Sequence, residues 1–289
     1  MRSVALGSSI CRADLHLHST ASDGKYTPAH LVRLAHTAGI TLMALTDHET
    51  LYGVEEAAAA AAKLGIMFLP GVEINTAAEH EVHVLLYGVT PQMGELTNLL
   101  CEISQGRQER APKFLEKLAA LGMKMTLDDL QIPEGTDCNR PIVARALVRK
   151  GYVNSTQEAF ERYLGVNKPA YVKRNHISTE QLLKMARREG AVPVLAHPGL
   201  IQNEVFREAD TIHQLKQAGL MGIEAWHPKH TSAQGQYWVE MAKRHGLLVT
   251  GGSDFHKEDD DHGPIGSQIN NWLTMQEDTD RLLSIMNMN

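Results

Sequence analysis

The chain has 289 residues, 43% of them hydrophobic, with 28 Lys and Arg against 34 Asp and Glu for a formal charge of −6. That length supports one large core plus a smaller appendage; the acidic balance offers no broad basic groove for duplex DNA, and no run approaches the roughly 20 apolar residues of a membrane span. Cys11, Cys101 and Cys138 are far apart with no CxxC pair, so neither a disulfide framework nor a thiolate zinc site is indicated; the opening twelve residues lack a secretory apolar segment, so the expected location is cytoplasmic.

The first apolar run, Ala13-Asp14-Leu15-His16-Leu17-His18, sets two imidazoles two residues apart. On a strand the side chains alternate, so His16 and His18 share one face and can grip a cation while Leu15 and Leu17 turn into the packing behind. Alone, such a pair reads equally well as core histidines satisfied by backbone carbonyls. The pattern, however, recurs. A helix follows, with Pro28 in its first turn, Leu31, Leu34, Ala35 and Ala38 on one face, and Gly39 ending it. Thr41 to Thr46 then leads into Asp47-His48. Gly53 to Leu64 holds six consecutive alanines, a strong helix former that packs closely on a sheet rather than a binding element. Ile66 to Leu69 leads to Gly71-Val72-Glu73, and His83 opens the run Val84-Leu85-Leu86.

Between about residues 104 and 176 the strand rhythm stops, and helical patterns predict an inserted helical cap. Phe114, Leu115 and Leu118 form one apolar stripe; Ile142, Val143, Ala146 and Leu147 form another, starting at Pro141; Ser155 and Glu158 cap a third helix that Gly165 ends. This insertion carries 13 Lys and Arg against 8 Asp and Glu, a net of +5 that leaves −11 for the remainder. A basic lid and an acidic metal-binding rim suit an anionic substrate. The rhythm resumes with a Ser178/Gln181 capping box ahead of Leu182, Leu183 and Ala186. Val192 to Ala196 leads into His197-Pro198, Gly222-Ile223 into Glu224-Ala225-Trp226-His227, and Leu247 to Gly252 into Ser253-Asp254-Phe255-His256.

The alternation predicts an α/β fold, a parallel sheet whose strand-following loops open on one rim where seven sets of polar residues converge. The domain boundaries are 12–103 and 177–289 for the two parts of the barrel and 104–176 for the cap. His16, His18, Asp23, His48, Glu73, His83, His197, Asp254 and His256 make nine candidate ligands, too many for one ion and enough for two or three, with Glu73 or Asp254 bridging. A mixed imidazole and carboxylate set suits manganese, iron or zinc and disfavours calcium or magnesium alone. Bridged ions can acidify a water and stabilise both oxygens of an in-line displacement, which is phosphoester hydrolysis chemistry.

Asp14-Leu-His16-Leu-His18-Ser19, Ser22-Asp23-Gly24, Thr46-Asp47-His48, Gly71-Val-Glu73, Ala196-His197-Pro198 and Gly252-Ser253-Asp254-Phe255-His256 together resemble the PHP-domain (polymerase and histidinol phosphatase) metal-dependent phosphoesterases. Asn139-Arg140-Pro141-Ile142-Val143-Ala144-Arg145-Ala146 and Arg162-Tyr163-Leu164-Gly165 resemble one subgroup, which dephosphorylates nucleoside 3′,5′-bisphosphates and removes 5′ nucleotides from short RNA. The resemblance implies a distorted seven-stranded β/α barrel with an inserted helical cap and three metal positions. It implies that His16, His18, Glu73 and Asp254 hold the first ion, Glu73, His83 and His197 the second, and Asp23, His48 and His256 the third, with Asp23 standing where histidinol phosphatases carry histidine. A metal-bridging hydroxide would attack phosphorus, with His16, His18, Glu73 and Asp254 as the catalytic core.

Asp14 and Asp47 are expected behind the ligands, orienting histidines. Arg140 and Arg145 are the first choices for phosphate clamps, weighed against a solvated helix face, with Lys173 and Arg174 behind them. His230 is a candidate for binding phosphate or protonating the leaving oxygen, and the family often has tyrosine where Trp226 or His227 stands. His30, His36, His80, His213, His245 and His262 match no ligand motif. Beside a histidinol-phosphate-type phosphatase of the same family, which Asp23 disfavours, two competing readings are a metal-dependent amidohydrolase on a related barrel and a non-catalytic nucleic-acid or regulatory module. The absence of a strand-end lysine argues against the first, the intact ligand set against the second.

Overall fold

A computed structural model describes residues 12–76, 82–132, 138–172, 177–201, 209–258, 263–267 and 272–287. Two compact units emerge, one of Met1–Leu96 with Ile177–Asn289 and the other of Thr97–His176. The first contains seven strands that neighbour one another in chain order: β1 Ala13–Asp14, β2 Leu42–Leu45, β3 Met67–Thr76, β4 Val82–Tyr87, β5 Val192–Leu195, β6 Gly222–Trp226 and β7 Leu248–Gly251. The ends of this sheet meet. Leu17 bridges Phe255 in parallel, the His18 N–H donates to the Phe255 carbonyl at 3.1 Å, and the Asp254 N–H donates to the His16 carbonyl at 2.9 Å. The sheet is thereby a nearly closed seven-stranded barrel, and the residues following β1 lie against those following β7.

The helices are α1 Pro28–Thr37, α2 Val54–Leu64, α3 Gly94–Ala120, α4 Leu127–Leu130, α5 Arg140–Arg149, α6 Thr156–Ala159, α7 Thr179–Arg188, α8 Ala209–Ala218, α9 Ser232–His245 and α10 Trp272–Ile285. β2, β5 and β7 are buried along their whole length, as expected of strands covered on both faces. Helix α1 starts where the sequence predicts, Thr27 accepting from the His30 N–H with Pro28 in the first turn. Leu31, Val32 and Ala35 of α1 pack in one cluster with Leu17, Met43 and Leu45, joined by Ala57 and Ala61 from the alanine run. The alanines thus supply a close-packing face.

One expectation is corrected. β4 is antiparallel to both β3 and β5, so the sheet is not wholly parallel. A short apolar run reads the same in either direction, and only chain topology sets its sense. The reversal has a consequence for the site. Because β4 runs backwards, its beginning, where His83 pairs with Asn75, lies at the end of the barrel where β3 finishes. His83 therefore opens its run while the other candidate ligands follow theirs.

The second unit has its own core, in which Phe114 and Leu118 of α3 meet Ile142, Val143 and Leu147 of α5 and Leu164. It begins inside α3, a continuous helix, which is why sequence periodicity marks no boundary at Thr97. Asn139 caps α5 by accepting from the Ile142 N–H, and Ser155 caps α6 by accepting from the Glu158 N–H. The chain continues as one π-helical turn, Phe160–Leu164, closed by the Gly165 N–H on the Phe160 carbonyl at 2.8 Å. A side chain at Gly165 would put its Cβ 2.7 Å from that carbonyl oxygen, so glycine is required there.

Candidate metal centre

Glu73 is the centre around which the candidate ligands gather. It lies in β3, fully buried, and its two oxygens face different imidazoles. Oε1 is 2.7 Å from His83 Nδ1 and 3.0 Å from His197 Nε2. Oε2 is 3.2 Å from both His16 Nε2 and His48 Nδ1 and 3.3 Å from His18 Nε2. Asp254 closes the other side, with Oδ1 3.3 Å from His16 Nε2 and 3.2 Å from His18 Nε2. Asp23 Oδ1 lies 3.2 Å from His256 Nε2, and its Oδ2 lies 3.7 Å from His48 Nε2. All nine side chains singled out in the sequence lie in this one cluster.

Among the described residues three groups could each hold a cation, because within each the ligand atoms lie within 4.8 Å of one another: His16, His18, Glu73 and Asp254; His48, Glu73 and His83; and His18, Asp23, His48 and His256. The first coincides with the set implied by resemblance. In the others His48 stands between two groups, and His197 approaches Glu73 from the far side. The donor set fits a borderline-hard divalent cation. His18 makes the case most directly: its side chain is fully buried, and its Nε2 lies 3.3 Å from Glu73 Oε2 and 3.2 Å from Asp254 Oδ1. A buried ring nitrogen between two carboxylates needs positive charge beside it, supplied either by its own proton or by a cation that takes the proton's place.

Electrostatics already anticipate positive charge. Burial works against ionised Glu73 and Asp254, but the surrounding imidazoles, His16 foremost, hold both well below the carboxylate range. Burial equally opposes a charged His16, and Glu224, Asp254 and Glu73 together push it well above its ordinary value. His18 is held up at about 10 against the cost of burial by Asp254 and Glu73. His48 goes the other way, driven down to about 3 by burial, with the neighbouring His18 adding to that and Glu73 opposing. Asp23, despite partial burial, is pulled below its usual range by His256, His48 and His18. Without a cation, protons on imidazoles balance the carboxylates.

A second layer fixes the ligands. Asp14 accepts from the backbone N–H of Ser253 at 2.9 Å and of Gly266 at 2.8 Å, tying β1 to the chain beside Asp254. Asp47 accepts from the Ser19 N–H and from the hydroxyls of Ser19 and Ser22, each at 2.7 Å, tying His48's neighbour to the loop that carries Asp23. Both act on loops rather than on imidazole rings. The carboxylate that orients a ring is Glu224, in the middle of β6: its Oε1 accepts from His16 Nδ1 at 3.0 Å and its Oε2 from the His197 N–H at 2.8 Å. This leaves His16 Nε2 facing Glu73. His197 and Asp254 both adopt left-handed backbone, with φ of 25° and 51°, a strained conformation for residues other than glycine that tight surroundings must hold.

Two residues of this layer, Glu224 and His227, carry no role in the sequence reading. The available signal was the same apolar run ending in an acid and a histidine that marks the other strand ends. His230, by contrast, donates from Nδ1 to the Ala225 carbonyl at 2.9 Å and accepts at Nε2 from the Gly199 N–H at 3.0 Å. Both nitrogens are engaged within the fold, and in this conformation neither is offered to a phosphate or a leaving oxygen. Arg140 and Arg145 belong to the second unit. The Arg140 guanidinium lies 5.9 Å from the Phe160 ring centre and 5.6 Å from that of Tyr171, and Arg145 is exposed on α5. Lys173 and Arg174 lie outside the described residues, as do His80 and His262.

Comparison with known proteins adds the following. Residues 14–214 match the PHP domain family. The chain is 36% identical over 246 residues to the 3′,5′-nucleoside bisphosphate phosphatase of Chromobacterium violaceum, covering 84% of this chain and 86% of that protein. It is 33% identical over 244 residues to the 5′-3′ exoribonuclease of Haemophilus influenzae, covering 84% and 89%. Among solved structures, a protein from Bifidobacterium adolescentis, described as a candidate metal-dependent phosphoesterase, superimposes with a TM-score of 0.72 at 29% identity, covering 94% of this chain and 96% of that one.

Proposed function

The chain belongs to the PHP domain family, and from that premise we propose that it is a metal-dependent phosphoesterase acting on nucleoside 3′,5′-bisphosphates and on the 5′ ends of short RNA. The observation that carries this reading is the meeting of nine imidazole and carboxylate side chains with Glu73 at their centre. The similarity to a bisphosphate phosphatase and to an exoribonuclease supports the substrate class.

In this reading His16, His18, Glu73 and Asp254 hold one ion, Glu73, His83 and His197 a second, and Asp23, His48 and His256 a third. We assign manganese, with zinc and iron(II) as the other ions suited to a nitrogen and oxygen donor set. When bound, such ions supply Lewis acidity toward the phosphoryl group and a nucleophile at neutral pH. The chain's own contribution is position and charge. Glu73 turns one oxygen to the His16, His18 and His48 side and the other to His83 and His197, so a single buried carboxylate serves two ligand groups. Glu224 fixes the His16 ring so that Nε2 is the nitrogen presented.

Arg140 and Arg145 are assigned to the substrate phosphates, with Lys173 behind them. A guanidinium offers paired donors to phosphate, and Arg140 stands at the first position of α5. The two aromatic rings beside it restrict where that guanidinium points. No helix among the described residues is long and apolar enough to cross a membrane, and we place the enzyme in the cytoplasm. An amidohydrolase is the nearest competitor. Such enzymes generally bridge two ions with a strand-end lysine, and none of the seven strands contains a lysine.

Protein stripped of metal and reloaded with Mn²⁺ should release inorganic phosphate from adenosine 3′,5′-bisphosphate and mononucleotides from 5′-phosphorylated RNA, and should leave an amide panel untouched. Amide hydrolysis without phosphate release would replace this reading with its competitor.

A further inference from the structure

Asp254 sits in left-handed backbone with its two carboxylate oxygens in different surroundings. Oδ1 faces His16 and His18, while Oδ2 lies 3.2 Å from Nε2 of His227. The His227 side chain is completely shielded from solvent. Its protonation pattern is set from behind. The Lys229 backbone N–H donates to His227 Nδ1 at 3.1 Å, which makes Nδ1 the acceptor and puts the ring proton on Nε2, aimed at Asp254. His227 belongs to none of the three groups that could hold a cation.

We infer that His227 is a positioning residue: its Nε2–H pins Asp254 Oδ2, so that Asp254 presents a single oxygen, Oδ1, to the His16 and His18 side of the site. A carboxylate without that anchor can rotate about its last bond and offer either oxygen, or both, to the cluster. The backbone of Asp254 does not prevent this, since a φ of 51° fixes the chain and not the terminal torsion. The inference rests on the reading of His16, His18, Glu73 and Asp254 as an ion site, and it deepens that reading by naming what sets the geometry of the fourth ligand.

The test is Mn²⁺ titration of the stripped full-length protein by calorimetry, with phosphate release read in parallel. His227→Leu should weaken the tightest Mn²⁺ site by about 10- to 100-fold. His227→Gln, whose amide nitrogen reaches the Nε2 position, should recover most of that loss, whereas His227→Asn, whose amide stops near the Nδ1 position, should not. In an Asp254→Ala background, His227→Leu should cause no further loss, because its effect runs through Asp254. Wild-type affinity in His227→Leu, an equal loss in both backgrounds, or equal affinities in the Gln and Asn variants would each overturn the proposal. The Gln and Asn pair decides the matter even if His227→Leu fails to fold. A wild-type protein that binds no Mn²⁺ would instead overturn the metal-site reading itself.

Discussion

His16 donates from Nδ1 to Glu224 Oε1 across 3.0 Å, joining the segment after β1 to the middle of β6 beneath the candidate metal centre. Both side chains are fully buried. The bond selects which nitrogen of His16 reaches Glu73, and the same carboxylate holds the His197 backbone N–H. Glu224→Gln keeps the shape but weakens this orientation. It should lower Mn²⁺ affinity by about 10- to 100-fold, with a matching fall in turnover at limiting metal. Metal titration against activity checks this, and rescue by excess Mn²⁺ is the expected signature of an orienting role.

Arg145 is exposed on α5 and distant in sequence from every candidate ligand. Arg145→Ala should reduce kcat/KM for a nucleoside bisphosphate by about 10- to 100-fold while the metal content stays at the wild-type level. Steady-state kinetics paired with elemental analysis separate the two quantities. An Arg145→Ala enzyme of normal efficiency would remove that residue from substrate binding.

Metal uptake should release protons. In the metal-free site His18 is held up at about 10, so at pH 7 its imidazole carries a proton, and only the neutral ring can bind a cation. The sign follows from the raised value: affinity should climb as pH rises toward about 10, because less work is then needed to remove the proton. Calorimetry at pH 7 in two buffers of different ionisation enthalpy measures the count. At least one proton released on filling the site of His16, His18, Glu73 and Asp254 is the expected result, and a buffer-independent enthalpy would contradict it.

Much of this site was legible from sequence because strand ends announce themselves. His16 and His18 share a side as alternation requires, and the intervening Leu17 packs against Leu31 and Met43, even though the regular part of β1 covers Ala13–Asp14 alone. The direction of β4 was not legible, since an apolar run carries no sense of direction. Nor was the division of labour in β6: a buried glutamate reads identically whether it meets a cation or the back of a histidine. His227 and His230 illustrate the same limit. They stand three residues apart, yet one meets Asp254 and the other a backbone turn at Gly199, a difference that depends on contacts from β7 and β5. Asp14 and Asp47, expected to orient rings, hold loops because the nearest donors are backbone amides and serine hydroxyls.

The central claim is that side chains from six strand ends form one polynuclear metal site. Its most direct measurement is the metal content of protein purified in the presence of Mn²⁺, determined by elemental analysis on wild type and on Asp254→Ala alongside phosphate release from adenosine 3′,5′-bisphosphate. Two or three ions per wild-type chain, at least one fewer in the variant, and a loss of turnover by several orders of magnitude are expected. A wild-type chain carrying no stoichiometric metal, or a variant with full metal and near-normal turnover, would contradict the account.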